Sequence, residues 1–488
     1  MTEPHTSEAL LDDELKLNVS NGIAEEGEGR VASDTQRRRT KGELMMSGLY
    51  SMGDRIAALI FGFGSLWMLT RLTTQANFGV WFFFTGLVAT VEVARTGLIQ
   101  NALIRYLSTE PASEHGSIYG GAWLLNGLLT LGGSALLFFS GDAFEAWFNF
   151  PGLAKLMDIY ALTFLGMTPL YQFNYIQQAH LEFRGAFWAT ILRYSTMFLI
   201  TAAMFFGVLA VDGASLQTLE YLAWGQLVAA SLGALISYRF ARPYIPAAIK
   251  FSRAWAGKLI AFGKYVFGTN LSSMMYKQVD SAMLGMLLLG PVPAAVYGLA
   301  IRITNFVDVP TLAVASIVFP ESSRASAQEG SAAQARMYEK AVAAILAFVL
   351  PALIVVGLLP WLFVALVGGS KYAATIPVLQ LTVLFSLFIP FANQFGTLLD
   401  ASGNPRLNFV FTLSGMLVNV VLNYFYISRL GVIGAPLGTL SSYMIMFVAM
   451  QTLLHRRYGV RLGNVVRNLP STYKMIWSFL RSKIPSRS

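Results

Sequence analysis

The 488-residue chain contains no cysteine and has few charged side chains. Without cysteine it forms no disulfide bond, no thiolate metal site and no cysteine nucleophile. Charged residues make up 12% of the chain, whereas a soluble domain carries about 25%. The composition therefore excludes whole classes of enzyme and is not that of an ordinary soluble protein.

Motifs for nucleotides and metals are also missing. We find no P-loop, no pair of histidines at zinc-binding spacing and no dinucleotide fingerprint. The four histidines lie in tails or loop regions and none is at ligand spacing from another: His5, His115, His180 and His455. We therefore expect no catalytic residue, no metal and no cofactor. Any transport must draw its energy from an ion gradient or from the gradient of the substrate itself.

Long apolar runs dominate the chain instead. Hydrophobic residues make up 55% of it, and the mean hydropathy is +0.55. About 20 mainly apolar residues match the thickness of a hydrocarbon core. This pattern predicts an all-α polytopic membrane protein with about 12 transmembrane helices. The predicted spans are 47–70, 78–101, 117–140, 154–178, 187–210, 219–238, 263–289, 294–319, 340–367, 375–398, 407–428 and 432–454.

The distribution of positive charge predicts the orientation of these spans. Most of the 35 Lys and Arg residues fall in the two tails and in the loops that lead from even to odd spans. The opposite loops hold Arg71, Lys155, Lys371 and Arg429. By the positive-inside rule both termini lie in the cytoplasm. The net charge of +9 is therefore a feature of membrane topology and does not indicate a nucleic-acid partner.

A basic central loop divides the chain into two sets of six spans. Phe78-Gly79 opens the second span of the first set, and Tyr297-Gly298 opens the second span of the other. This echo favours a parallel repeat, which typically encloses a transport site at its interface. The predicted organisation is a disordered cytoplasmic tail at 1–44, an N-terminal six-helix bundle at 45–238, a basic cytoplasmic linker at 239–262, a C-terminal six-helix bundle at 263–455 and a basic cytoplasmic tail forming an interfacial helix at 456–488.

The first two spans of each half carry ionisable residues. They are Asp54, Arg55, Glu92, Arg95, Lys277, Asp280, Arg302 and Asp308. Charge inside a bilayer is costly, so such residues face a cavity or a partner. The pairs Glu92 with Arg95 and Lys277 with Asp280 are three residues apart, and each pair can close on one helix as a structural ion pair. Their matching positions in the two halves favour the alternative of a common polar cavity.

These residues define the candidate site. The substrate-binding candidates are Arg302, Arg95, Lys277 and Asn305, because cations and amides suit an acidic polar ligand. The ion-coupling candidates are Asp280, Glu92, Asp308 and Asp54, because a carboxylate in low-dielectric surroundings tends to gain a proton or a partner.

Local motifs add a resemblance to a known family. They are Arg71-Leu72 with Phe78-Gly79; Gln178 with Leu181-Glu182-Phe183-Arg184; Asp280 with Leu284-Gly285; Tyr297 to Ala300 with Arg302; Phe319-Pro320; Ser370-Lys371-Tyr372; Ile376 to Leu381; Gly396 to Leu399; and Gly403 with Arg406. Together these motifs resemble the polysaccharide-export flippases (Wzx-like, colanic-acid and exopolysaccharide branch) of the multidrug/oligosaccharidyl-lipid/polysaccharide superfamily. The similarity covers residues from about 45 to 455.

The resemblance implies two six-helix bundles related by a pseudo-twofold axis that alternate between inward-open and outward-open states. It implies flipping of undecaprenyl-diphosphate-linked oligosaccharide repeat units across the bacterial inner membrane for exopolysaccharide or lipopolysaccharide synthesis. Membrane lipids, a polysaccharide polymerase and a chain-length regulator are the implied partners. Two alternatives stay open. A drug/cation antiporter shares the superfamily fold, and a membrane polysaccharide polymerase needs larger outer loops than those near 141–153 and 209–220.

Overall fold

The computed structural model describes residues 41–305, 311 and 331–483, and the regular structure in this part of the chain is helical, with no β-strand. The helices are α1 (Lys41–Leu72), α2 (Gln75–Thr109), α3 (Ala112–Phe148), α4 (Leu153–Ala179), α5 (Arg184–Phe205), α6 (Gln217–Ala241), α7 (Arg253–Leu288), α8 (Pro291–Thr304), α9 (Ser331–Leu358), α10 (Pro360–Val367), α11 (Thr375–Ser386), α12 (Ile389–Ala401), α13 (Pro405–Leu430), α14 (Gly434–Tyr458) and α15 (Leu462–Lys483).

The helices match the predicted spans. Each of the twelve predicted spans overlaps a helix, and the eighth is described at 294–305 and at residue 311. Eight helical stretches are long and apolar enough to cross a membrane. The prediction of an all-α polytopic membrane protein is therefore confirmed.

Two predicted spans are interrupted at proline. The ninth predicted span continues to residue 367, but α9 ends at Leu358 and a new helix begins at Pro360. The tenth divides into α11 and α12, and Pro390 lies in the first turn of α12. Proline has no backbone N–H to donate and fits best in the first turn of a helix, where that hydrogen bond is not needed. The apolar runs alone did not show these breaks.

Helices of the two halves pack closely against each other. α2 of the first half contacts both α7 and α8 of the second. A Cβ atom added at Gly263 of α7 would lie 2.2 Å from the backbone oxygen of Leu98 in α2. One added at Gly97 would lie 2.4 Å from the side-chain nitrogen of Asn270. Glycine at these positions therefore allows the two backbones to approach at the interface.

The two halves share buried packing at both ends, in different ways. We call the end with the basic loops the inner end. Towards the outer end, Phe78 and Phe84 of the first half belong to the same buried cluster as Tyr297 and Tyr372 of the second. At the inner end, one cluster contains α2, α3 and α4 residues with the start of α7, and another contains α9, α12 and α14 residues. Packing thus joins the halves through one large cluster at their outer ends and through α2 and α7 at the inner end.

The linker between the halves is fastened to the first half. The predicted linker was 239–262. In the structure its non-helical part covers 245–252 and follows a short helical turn at Arg242–Tyr244. The backbone N–H of Lys250 donates to the oxygen of Gly116 in α3 over 3.1 Å. A Cβ atom at Gly120 would lie 2.2 Å from the oxygen of Lys250. The linker therefore lies directly on α3 and is not a free connection.

Candidate functional site

A cavity of about 800 Å³ lies between the two halves. Helices α1, α2, α5 and α6 line it from the first half, and α8, α9 and α10 with the following residue Asn305 line it from the second. Aromatic rings form much of the wall, among them Phe63, Trp81, Phe82, Tyr194 and Phe363. Among the described residues that line the cavity, Arg302 alone carries a charge. The cavity is therefore largely apolar with one cationic position.

Arg302 lies near the end of α8, where Asn305 also reaches the cavity. A terminal nitrogen of the guanidinium donates to the hydroxyl of Thr85 in α2 over 3.2 Å, and its central carbon lies 5.5 Å from the ring centre of Phe82. The side chain keeps a large exposed fraction. A guanidinium has five N–H donors, and of the described residues only Thr85 accepts from this one. Arg302 is thus held in place while donors stay available to an acidic ligand.

The other two cationic candidates lie elsewhere. Arg95 is only 2% exposed and lies inside the first half. It donates to Thr168 over 3.0 Å and to Thr130 over 3.4 Å, with its guanidinium carbon 4.5 Å from the ring centre of Phe164. Lys277 is exposed on α7 and does not line the cavity. The structure brings Arg302 and Asn305 together but separates Arg95 and Lys277 from them.

Glu92 is also buried inside the first half, in a cluster of polar side chains. The hydroxyl of Tyr171 donates to it over 2.9 Å, and that of Tyr160 donates to its other oxygen. The charge of Arg193, in the middle of α5, lies close to both Glu92 and Tyr171. Glu92 and Arg95 thus each have other partners than the predicted pair. Sequence reasoning did not include Arg193 among the candidates, although its place well inside the apolar span 187–210 was a usable signal.

Asp280 is the centre of a buried network in the second half. Its carboxylate accepts from the hydroxyl of Thr439 over 2.7 Å, and also from the hydroxyl of Tyr297 and the amide of Asn423. The amide of Asn419 donates to Thr439 over 3.0 Å, which links all five side chains. Four helices meet here, namely α7, α8, α13 and α14. The Tyr-Gly pattern at the mouth of the eighth span is thereby explained, because Tyr297 is a direct partner of the carboxylate.

This network, the Asp280 network, offers oxygen ligands. The carboxylate accepts from the hydroxyl of Thr439 and from the amide nitrogen of Asn423, the side-chain oxygen of Asn419 accepts from Asn423 over 3.0 Å, and the side-chain oxygen of Asn423 is buried without a hydrogen-bond partner. Carboxylate and carbonyl oxygens are the ligands that hard cations prefer. The carboxylate can therefore take up a proton or act as an oxygen ligand to a cation. Sequence reasoning missed Asn419 and Asn423, although two amides four residues apart in an apolar span were a usable signal.

A set of hydrogen bonds closes the outer end of the interface. Arg71 of α1 donates to the backbone oxygens of Leu366 over 2.8 Å and Val367 over 2.9 Å. Thr70 donates to the same Val367 oxygen over 2.7 Å, and Lys371 donates to the oxygen of Thr73 over 2.6 Å. We call these contacts the outer clasp. A cation at the carboxyl end of α10 is favoured because helix carbonyls carry partial negative charge there.

The outer clasp borders the cavity, since Leu366 and Val367 belong to both. Burial lowers the pKa of the Lys371 ammonium, and the nearby charge of Arg71 lowers it further. Burial disfavours the charged ammonium, and so does a second cation close to it. Arg71 and Lys371 come from two separate sequence motifs, and the structure brings those motifs into contact.

Two sequence candidates cannot be located. Asp308 lies outside the described residues, and so does the side chain of Asp54. Both remain sequence-based predictions.

The chain is similar to proteins of polysaccharide assembly. A sequence profile described as "Polysaccharide biosynthesis protein" matches residues 68–377. The lipopolysaccharide biosynthesis protein WzxC of Escherichia coli is 25% identical over 82% of this chain and 80% of its own length. The probable low-salt glycan biosynthesis flippase Agl15 of Haloferax volcanii is 25% identical over 42% of each chain. The first two curated relatives are matched over only 51% and 42% of their own length.

Solved structures share the fold. The lipid II flippase MurJ, in an inward closed conformation, superimposes with a TM-score of 0.71 at 14% identity, covering 90% of this chain and 94% of the other. An inward-facing multidrug transporter of the MATE family and MOP superfamily also gives 0.71 at 14% identity, over 83% and 94%. The profile, the relatives and the fold together confirm the resemblance predicted from the motifs.

Proposed function

Because the chain belongs to the family of polysaccharide biosynthesis proteins, we propose that it flips undecaprenyl-diphosphate-linked oligosaccharide repeat units across the bacterial inner membrane. The names of two relatives, a lipopolysaccharide biosynthesis protein and a probable glycan biosynthesis flippase, support this substrate class. In this proposal both termini lie in the cytoplasm, and the repeat units supply exopolysaccharide or lipopolysaccharide synthesis. The protein moves its substrate without covalent chemistry.

The observation that carries the proposal is the cavity between the halves, with Arg302 as its charged lining residue. Arginine binds phosphate oxygens through paired, charge-assisted N–H donors, which suits the diphosphate of the substrate. Aromatic walls such as Trp81 and Phe82 offer flat apolar surface to the faces of sugar rings. The volume of about 800 Å³ is in the range of sites that enclose a small molecule. Asn305 supplies a neutral amide beside the cation.

Alternating access gives the outer clasp its role. The outer ends of the halves share one buried cluster and the hydrogen bonds of the outer clasp, which supports an arrangement closed to the outside in the proposed orientation. Release of substrate to the outside requires these bonds between Arg71, Lys371 and the facing backbone to break. The two states then differ by a limited set of contacts, as transport by rocking halves requires.

Ion coupling is assigned to the Asp280 network. We propose that Asp280 takes up a proton or a cation, because its carboxylate is buried among neutral donors and oxygen ligands. Glu92 is the second candidate, with Arg193 as its neighbouring cation. A polysaccharide polymerase and a chain-length regulator are proposed partners in the same process. Among the described lining residues the one charge is the cation of Arg302, which argues against a drug/cation antiporter because it repels a cationic drug.

Deletion of the gene in its host tests the function. The expected result is loss of the surface polysaccharide together with accumulation of lipid-linked repeat units on the cytoplasmic leaflet. The intact gene should restore the polysaccharide, and susceptibility to cationic drugs should not change. Unchanged polysaccharide with increased drug susceptibility contradicts it and favours the antiporter.

A further inference from the structure

Helix α15 separates its apolar and polar residues more sharply than any other described helix. From Arg456 to the last residue the chain carries basic side chains and no acidic one. Arg467 and Lys474 are seven residues apart, so they lie on one face of the helix. An amphipathic helix with cations on its polar face is the pattern of a helix that lies on a membrane surface.

One side of α15 is fixed against the rest of the protein. Val465 is buried, and together with Leu469 it packs in the inner cluster of α9, α12 and α14. The buried carboxylate of Glu339 in α9 accepts from the backbone N–H of Arg461 over 2.8 Å and from the amide of Asn464 over 2.9 Å. A carboxylate at the start of a helix is favoured by the helix dipole. These contacts determine which faces of α15 point away from the bundle.

The faces left open are apolar and basic. Leu462 is 40% exposed, Val466 is 65% exposed and Tyr473 is 40% exposed, and their spacing places them on one stripe. Arg467 and Lys474 are exposed directly beside this stripe. An apolar stripe next to cations has a defined complement, namely a surface with acyl chains beneath anionic groups.

We propose that α15 binds the anionic lipids of the cytoplasmic leaflet, with Leu462, Val466 and Tyr473 inserted at the level of the acyl chains and Arg467 and Lys474 among the phosphates. Because this segment has no acidic residue, no negative charge within it opposes its attraction to anionic lipids. Each Lys or Arg near an anionic leaflet adds to the attraction. Because Glu339 ties α15 to α9, the surface is held in a fixed orientation on the transporter.

A second segment at the inner end also supports anionic lipid as the binding partner. The linker follows the sixth span and α15 follows the twelfth, so both lie at the inner end. In the linker, Ile249 is 41% exposed and Phe251 is 73% exposed, with the exposed basic residues Lys250 and Arg253 between and beside them. Both inner-end segments therefore present apolar side chains next to cations, as expected for the boundary between headgroups and acyl chains.

The absence of cysteine allows a site-specific test on the full-length protein. Val466→Cys places a fluorescent bimane label on the apolar stripe. Ser471→Cys, exposed on the other side of α15, is the matched control. Each labelled protein is reconstituted in vesicles of phosphatidylcholine and phosphatidylglycerol, with bromine atoms on the acyl chains of either one lipid or the other. Bromine quenches bimane only at short range.

We expect quenching at position 466 and little at 471, and stronger quenching when phosphatidylglycerol carries the bromine. The double variant Arg467→Gln with Lys474→Gln is expected to reduce this lipid preference by at least about fivefold. Three results overturn the proposal: a label at 466 that remains in water, equal quenching by the two lipids, or disulfide-linked dimers through Val466→Cys, which assign the stripe to a second copy of the chain.

Discussion

At the scale of single residues, a guanidinium inside the membrane needs either local partners or a cavity, and Arg95 and Arg302 illustrate the two solutions. Arg95 is buried between Phe164 and Tyr171, where one terminal nitrogen donates to two threonine hydroxyls and the other two nitrogens have no hydrogen-bond partner among the described residues. Arg302 has one described acceptor and an open cavity. Access to the cavity, and not the number of partners, therefore favours Arg302 over Arg95 as the ligand-binding residue.

The first prediction concerns Arg302. Arg302→Ala removes a charged hydrogen-bond donor, which is worth about 1.5–3 kcal/mol to a bound anion. We expect at least about a tenfold loss of polysaccharide export at normal membrane abundance, with partial recovery in Arg302→Lys because an ammonium binds phosphate as a point charge. Arg429→Ala, an exposed outer cation beside Phe425, is the matched control. Wild-type export by Arg302→Ala contradicts the assignment.

The second prediction concerns Asp280. Asp280→Asn keeps the shape but removes the charge, so flipping in vesicles should no longer respond to an imposed proton or sodium gradient. Asp280→Leu should also destabilise the protein, because a buried donor left unpaired costs about 1–3 kcal/mol. Asp400→Asn is the control, since Asp400 accepts a hydrogen bond from the amide of Asn408 over 3.0 Å and lies outside the Asp280 network. If Asp280→Asn responds to gradients as the wild type does, the carboxylate is structural.

Sequence reasoning found the charged residues of the site but not their partners. The free-energy cost of burying a charge inside a membrane span makes Glu92 and Asp280 functional candidates from the sequence alone. Which groups meet them depends on helix packing, and Tyr160, Asn423 and Thr439 are distant in sequence from the carboxylates they contact. The three-residue spacing suggested intrahelical ion pairs, whereas the structure gives both carboxylates neutral donors from other helices.

At the scale of elements, the outer clasp uses the carboxyl end of a short helix. α10 begins at Pro360 and ends at Val367, and the last carbonyl groups of a helix have no partner within it. Those of Leu366 and Val367 therefore accept from Arg71. The predicted ninth span also ends at residue 367, so hydropathy located this helix end, although it did not show the break before Pro360.

The third prediction concerns this clasp. Arg71→Ala removes two charged hydrogen bonds between the halves, so the outward-open population should rise by about tenfold or more. The measurement is labelling of Leu66→Cys, which lines the cavity, by an impermeant maleimide added outside intact cells. Lys155→Ala, an exposed outer cation apart from the clasp, should leave the rate unchanged. An unchanged rate in Arg71→Ala as well removes the clasp from the mechanism.

The fourth prediction concerns the seat of the linker on α3. Gly120→Ala places a Cβ atom 2.2 Å from the backbone oxygen of Lys250, so we expect destabilisation of about 1–3 kcal/mol from overpacking. Gly127→Ala on the same helix meets nothing within 4 Å and should be neutral or slightly stabilising. Thermal unfolding in detergent measures both. Equal melting temperatures for the two variants contradict the close contact.

At the scale of the whole molecule, long apolar runs and their flanking charges were enough to predict a polytopic helical membrane protein, and each of the twelve predicted spans overlaps a described helix. These signals arise from the membrane as solvent, so they are visible in sequence. The cavity is not visible in this way, because helices that are distant in sequence line it together, among them α1, α2, α8 and α9. The prediction that Arg302 and Arg95 face one cavity therefore needed the structure for its test.

One reconstitution experiment tests the central claim most directly. The purified protein is placed in vesicles with an undecaprenyl-diphosphate-linked oligosaccharide loaded on the inner leaflet, and a glycan-cleaving enzyme is added outside. The account predicts that the glycan becomes accessible with the wild-type protein, and much more slowly with Arg302→Ala, while a cationic dye stays in place. Movement of the dye without exposure of the glycan contradicts the account and identifies a drug transporter.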